Sequence, residues 1–271
     1  MKIRNLAAVL SLILFAPAAA NAAESSWFHT DGAKLRLISL PSADGKKLDA
    51  GLQIELESGW KTYWRAPGAS GLPPILDFQG SQNIASTKVE YPVPTTFGDD
   101  QNLTAGYTRS VTFPISIEPL FANRPITLKL AGLVGICAEV CIPVQFELSL
   151  IEDGKGVSQR DIASTLFQAR ANLAGQSTDN FQIKSVVYRK DRLDVTASLP
   201  EGSDDSSLMV EGPESWYLTP ARAHKIEDQT AYFEVNLKDI PKQAKPEETV
   251  LKFTLVSDGA GVEMSMKPVR P

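Results

Sequence analysis

The sequence has 271 residues, with 27 Lys and Arg against 32 Asp and Glu, for a formal net charge of −5 at pH 7. Hydrophobic residues at 43% and charged residues at 22% are ordinary for a globular chain with a sizeable core, and exclude a disordered one. The acidic balance argues against nucleic acid or an anionic membrane surface as partner.

The chain opens with Lys2 and Arg4, an apolar run from Leu6 to Ala20, and Ala20-Asn21-Ala22 as a small-x-small cleavage signal. These are the parts of a secretory signal peptide over residues 1–22, cut after Ala22. The apolar run is shorter than the ~20 residues that a membrane span requires. The expected mature chain is soluble, exported to a bacterial periplasm, and carries no membrane span. Loss of Lys2 and Arg4 makes it more acidic still.

Beyond the signal, apolar residues alternate with polar ones. The runs are Leu35 and Leu37; Leu52, Ile54 and Leu56; Val111, Phe113, Ile115 and Ile117; Ile126, Leu128 and Leu130; and Val144, Phe146, Leu148 and Leu150. A period of two puts one strand face in a core and the other in water. Turn signals at Asp44-Gly45, Pro67-Gly68, Pro73-Pro74 and Gly98-Asp99 separate the runs. A β-sandwich over 23–152 is expected.

Residues 153–157 break this pattern, and Ser158 to Ala174 takes helical spacing, with Ile162, Leu166, Ala169 and Leu173 on one face. Ser158 is the expected N-cap and Gly175 the stop. A helical linker is placed over 153–180. Strand-like runs resume at Ile183–Tyr188, Leu193–Leu199, Tyr232–Leu237, Leu251–Val256 and Val262–Met266, giving a second β-sandwich over 181–271. The expected fold class is all-β, two sandwich domains joined by a short helical linker. Trp216 and Tyr217, in "EGPESWYLTP" (211–220), are read as a local core of the second domain, with a partner surface as the alternative.

The two cysteines, Cys137 and Cys141, lie in "GICAEVCIP" (135–143). Residues four apart in a strand are ~13 Å from each other, and a disulfide needs Cα atoms within about 7 Å. A bond between them therefore requires a hairpin with Ala138-Glu139-Val140 as its loop. Three readings stand. A structural staple closing so small a ring contributes roughly 2 kcal/mol, little for a chain of this size. Zinc lacks ligands at suitable spacing, since His29 and His224 are far apart in sequence and read as surface residues. Cu(I) is softer, and Cys137 and Cys141 could hold it with Met264 and Met266, although those methionines also suit a core. A redox-active pair fits a small, accessible ring. No Lys, Arg or His stands beside either cysteine in sequence and Glu139 lies between them, so neither is an activated thiolate. Pro143 favours Cys141 as the sulfur that is attacked.

Four segments in order, "GWKTYWRAPGASGLPP" (59–74), "VEYPVPTTFGDD" (89–100), "GYTRSVTFPISI" (106–117) and "GLVGICAEVCIPVQFEL" (132–148), resemble the periplasmic N-terminal domain of the disulfide reductase DsbD. The likeness is nearer to the ScsB-type branch, named for suppression of copper sensitivity, and is strongest up to about residue 150. It implies an immunoglobulin-like sandwich whose cysteine pair relays electrons by thiol–disulfide exchange, with no cofactor. The implied donor is a membrane thiol-electron transporter, and the implied acceptor a periplasmic thioredoxin-like protein, disulfide isomerase or peroxiredoxin. The chain would then be an electron relay rather than a stand-alone enzyme.

By the same resemblance, Phe97 is the aromatic of a cap loop over the cysteines, and Tyr63 and Trp64 belong to an aromatic segment near them. The chain departs from the DsbD pattern at Thr95 and Thr96, where acidic residues would stand, and in its shorter cysteine spacer. It shows neither the membrane domain nor the thioredoxin-like domain, so the donor is expected to be a separate protein. The competing expectations are a copper-tolerance protein using the same cysteines and a non-redox interaction module with a structural disulfide.

Overall fold

The computed structural model describes residues 23–42, 46–99, 102–122, 124–153, 160–213, 216 and 218–271. The expected signal peptide, the Asp44-Gly45 turn, Ser158 and Tyr217 lie outside the described residues.

The first sandwich begins with β1 (Ala23–Glu24), β2 (Phe28–Thr30), β3 (Ala33–Pro41) and β4 (Leu48–Leu56). Short strands follow: β5 (Lys61–Tyr63), β6 (Ile75–Asp77), β7 (Ile84–Val89), β8 (Thr95–Phe97) and β9 (Thr104–Tyr107). Three long strands complete it: β10 (Val111–Pro119), β11 (Ile126–Cys137) and β12 (Cys141–Glu152). One sheet has the order β1-β3-β4-β10-β7, with β2 on β3; the other has β12-β11-β5-β9-β8, with β6 on β11. The alternating residues of the long strands meet between the sheets: Leu35, Leu37, Leu52, Ile54, Phe113 and Ile115 face Leu128, Val134, Ile136, Phe146 and Trp64 in one buried cluster.

The helix, α1 (Arg160–Ala171), ends three residues before the Ala174 that the spacing suggests. It is no free connection. Ile162 and Leu166 pack on Ile38 against the outer side of the first sheet. Gly51 on β4 permits the approach, since a Cβ there would lie 2.9 Å from Leu166. Arg170 near the helix end donates to Asp49 (2.7 Å), Glu90 (3.0 Å) and Ser116 (3.1 Å). Gly175 does not simply end the helix; it enters β13 (Gly175–Gln176).

The second sandwich adds β14 (Gln182–Arg189), β15 (Arg192–Ser198), β16 (Ser206–Glu211), β17 (Ala221–Arg222), β18 (Lys225–Glu227), β19 (Thr230–Asn236), β20 (Leu251–Ser257) and β21 (Ala260–Met266). Its sheets are ordered β13-β21-β20-β16-β17 and β14-β15-β19-β18 around a separate core that includes Leu193, Phe233, Phe253 and Leu255. Trp216 packs partly buried at its edge. The architecture is all-β, of immunoglobulin-like sandwich type, with one α-helix among the described residues.

The two sandwiches meet along β16 and β20. Met209 and Val256 belong to the first core cluster, while their chain neighbours Leu208, Val210 and Leu255 belong to the second. Arg65, just beyond β5, ties the two together. Its guanidinium donates twice to Glu211 (3.0 and 2.7 Å), once to Glu263, and lies 4.1 Å from the Trp64 ring. Lys252 also contacts Glu263, at 2.7 Å.

Replacing Arg65 by Met keeps the stem against Trp64, removes the cation from Glu211 and leaves Glu263 with the Lys252 cation alone. The expected loss is about 2 kcal/mol in chemical unfolding at neutral pH, between the values for exposed and fully buried pairs. Burial alone would raise the Glu263 carboxyl, but hydrogen bonds and charge from Lys252 and Arg65 hold it below its ordinary value of 4.5. Such a group stabilises the fold above its unfolded pKa, and this is lost as pH falls through the lower folded value. The Arg65→Met penalty should therefore shrink at pH values below 4.5. An equal penalty at neutral and acid pH would mean that the ion cluster is not what the arginine contributes.

Candidate functional site

The hairpin formed by β11 and β12 pairs in register from Ile126↔Glu152 to Cys137↔Cys141, so the cysteines are its last cross-strand pair. They form a disulfide with Cα atoms 4.0 Å apart. Ala138, Glu139 and Val140 make the exposed turn beyond them, closed by the Ala138 amide donating to the Val140 carbonyl. The two sulfurs are not equivalent. Cys137 is only 4% exposed, whereas Cys141 is open to solvent.

The surroundings follow from β-sheet alternation. β5 pairs with β11 as Cys137↔Lys61 and Ile136↔Thr62, and with β9 as Tyr63↔Gly106 and Thr62↔Tyr107. β8 pairs with β9 as Thr95↔Gly106 and Phe97↔Thr104. Residues directly opposite share a face, and residues two apart along a strand share it again. Lys61, Tyr63, Phe97, Gly106, Gly135 and Cys137 thus lie on one face, turned away from the core. Thr62, Ala105, Tyr107 and Ile136 lie on the other.

On that outer face Tyr63 lies across two glycines. A Cβ at Gly135 would come within 2.7 Å of its ring. One at Gly106 would lie 2.2 Å from the Thr62 carbonyl oxygen and 2.9 Å from the Phe97 ring. The Tyr63 hydroxyl reaches Cys141 Sγ at 2.8 Å and is the donor, since a disulfide sulfur carries no proton. Burial pushes the phenol above its ordinary range. The Phe97 ring sits 6.2 Å from the Tyr63 ring, and Lys61 Nζ lies 5.1 Å from the Phe97 centroid. Gly98, with φ at 99°, ends β8 in a conformation that L side chains avoid. Asp99 accepts the Asn102 amide at 2.9 Å and closes the turn behind it.

The structure therefore brings Cys137, Cys141, Tyr63 and Phe97 together. It does not bring Trp64 with them: Trp64 is 1% exposed and points into the sandwich core, with its indole N–H unpartnered among the described residues. Met264 and Met266 pack on the second core, and the Ile183 amide donates to Met264 Sδ at 3.2 Å. His29 on β2 and His224 between β17 and β18 are both exposed. Lys61 was missed, because no cation neighbours the cysteines along the chain. It stands across the sheet from Cys137, and alternation from Tyr63 was the signal that could have found it.

Residues 36–153 match the family described as "Thiol:disulfide interchange protein DsbD, N-terminal". The crystal structure of the N-terminal periplasmic domain of ScsB from Proteus mirabilis is similar over 93% of this chain and 100% of that one, with 22% identity and a TM-score of 0.74. At that identity the likeness is one of fold. A biofilm-associated protein's BSP domain aligns over 94% of this chain and 53% of its own, with 10% identity and a TM-score of only 0.23. No curated protein matches significantly.

Gly135→Ala tests the seat of the tyrosine. With the disulfide intact, the added methyl group should cost about 1–3 kcal/mol in chemical unfolding, as overpacking does. A neutral substitution would mean that Tyr63 shifts without loss and is not held by the close approach.

Proposed function

We propose, from the match of residues 36–153 to the DsbD N-terminal family, that the chain is a thiol–disulfide exchange module that passes reducing equivalents through Cys137 and Cys141. The observation that carries the reading is the split character of the disulfide. One sulfur, at a hairpin tip, is exposed and accepts the Tyr63 hydroxyl, while the other is buried across the sheet from Lys61. A bond meant only to stay closed has no use for such an arrangement. Exchange needs one sulfur that a partner thiolate can reach and a second that leaves.

In the proposed reaction a thiolate of a reduced donor attacks Cys141 Sγ. A mixed disulfide forms, the Cys137–Cys141 bond breaks, and its electron pair departs on Cys137 Sγ, which then takes up a proton. The donor's second thiolate then attacks the donor sulfur of the mixed disulfide, which closes the donor's own disulfide and expels Cys141 as a thiolate. In the second half, the Cys141 thiolate attacks the disulfide of an oxidised acceptor, the acceptor's other sulfur leaves as a thiolate, and the Cys137 thiolate attacks Cys141 Sγ, re-forming the Cys137–Cys141 bond and releasing the reduced acceptor. Tyr63 hydrogen-bonds Cys141 throughout and favours its thiolate over its thiol. Phe97 lies over the Tyr63 and Lys61 side of the pair and gives way when a partner docks. No cofactor takes part.

We place the protein in the periplasm, where a standing supply of electrons is needed to keep thiols reduced. The proposed donor is a membrane thiol-electron transporter, and the proposed acceptors are thioredoxin-like proteins, disulfide isomerases or peroxiredoxins. Among the described residues no helix is long and apolar enough to cross a membrane.

Thiol trapping in defined redox buffers tests the reading. The Cys137–Cys141 pair should equilibrate between about −270 and −180 mV, the range of thioredoxins and disulfide isomerases. A potential well below about −300 mV would assign the bond a structural role instead. Phe97→Ala should speed reduction by a small-molecule dithiol several-fold. Cys137→Ala should trap mixed disulfides through Cys141, while Cys141→Ala should trap few or none.

A further inference from the structure

Cys137 is the sulfur that must carry negative charge when the bond opens, and it is nearly excluded from water. A thiolate formed in such a place is disfavoured unless a cation or hydrogen-bond donors compensate it. Tyr63, the one hydroxyl shown at the pair, is committed to Cys141. Lys61 is the direct cross-strand partner of Cys137. Cβ atoms of such partners lie about 5 Å apart on the same face. Lys61 is half-buried, and its ammonium lies 5.1 Å from the Phe97 centroid on the same face of the sheet as Cys137.

We propose that Lys61 is the charge-compensating residue of the exchange reaction, holding the cap ring while the disulfide is closed and stabilising the Cys137 thiolate when it opens. This rests on the relay reading and deepens it. When a dithiol's thiolate attacks Cys141 Sγ, a new sulfur–sulfur bond forms to the reductant and the bond to Cys137 breaks. The attacking sulfur is oxidised, and Cys137 Sγ receives the electron pair. Lys61 supplies only its field. Water returns the proton to Cys137 afterwards. The other titratable groups at the site are Tyr63 on β5, Cys141 itself and Glu139 on the exposed turn; the described residues of β8 and β9 that line it carry none. Of these groups only Lys61 is a cation.

The two roles of Lys61 oppose each other in a simple rate measurement, because releasing the ring opens the site while removing the charge slows departure. A Phe97→Ala background separates them. There, Lys61→Met, which keeps the aliphatic stem, should slow reduction by dithiothreitol roughly threefold, the sensitivity that exchange shows to a unit of leaving-group pKa. Lys61→Arg should restore the rate. In a Cys141→Ser chain, ultraviolet thiolate absorbance should show Cys137 titrating about one pH unit higher with Lys61→Met than with Lys61, a shift expected for one partly screened charge. Unchanged near-ultraviolet circular dichroism shows that each variant is folded. Equal rates and equal midpoints in the folded variants would overturn the proposal, as would a faster Lys61→Met protein in the Phe97→Ala background. The titration does not depend on the relay. A structural-range potential with an intact Cys137 shift would sink the relay alone, and a relay-range potential without the shift would sink the role of Lys61 alone.

Discussion

Strand β5 is paired on one side with the cysteine hairpin and on the other with β9, which in turn pairs with β8 and its Phe97. Because side chains alternate across a strand, this register alone decides what surrounds the disulfide. Lys61 and Tyr63 go to the outer face, and Thr62 goes to the core. A slip of one residue would bury the lysine, and Tyr63 would lose both glycines and its contact with Cys141. The buried Thr62 side chain helps to secure that register by donating to the Gly135 carbonyl at 2.9 Å. With β5 so short, its placement depends on neighbours more than on its own pairing, and the long β11–β12 hairpin supplies the firm side.

The chain leaving β5 supplies the other hold. Trp64 enters the core of the first sandwich, and Arg65 turns at once to the carboxylates of the second. Two residues after the tyrosine that touches Cys141, the backbone is thus fastened to a different sandwich. The second sandwich carries none of the residues of the cysteine site, but it clamps the strand that positions them. The β16 face completes the contact: Met209 and Val210 are buried in different clusters, so this strand is covered on both sides.

That double burial also explains what could and could not be read from the sequence. The long strands have one wet face, and their alternation revealed them, from Leu35-Arg36-Leu37 to the run ending at Leu150. β16, Ser-Ser-Leu-Met-Val-Glu, has no wet face over most of its length and shows no alternation. β5, β6, β8 and β9 are too short for any period to register. The helix was legible from Ile162, Leu166 and Ala169, but its docking was not, since that depends on Gly51 in a strand far back in the chain. At the site, the hairpin followed from the need to bring two cysteines together, and Phe97 and Tyr63 from resemblance. The difference between Trp64 and Lys61 was hidden because both adjoin the same tyrosine segment; only the pairing of β5 sends one to the core and the other to the disulfide.

The position of the disulfide in the hairpin bears on why it is there at all. Closing a ring of five residues restricts an unfolded chain by about 2 kcal/mol at most. The β11–β12 ladder already brings the same two backbones together along its whole length, so the bond adds less than that in the folded protein's favour. A staple placed for stability would join strands that no ladder connects. At the end of a ladder the strands hold their places whether the sulfurs are joined or free, and that is what repeated exchange requires. The bond can open and close while the strand that carries Tyr63 and Lys61 keeps its place in the sheet. Stability then comes from the sheets and the two cores, which leaves the cysteine pair free for chemistry.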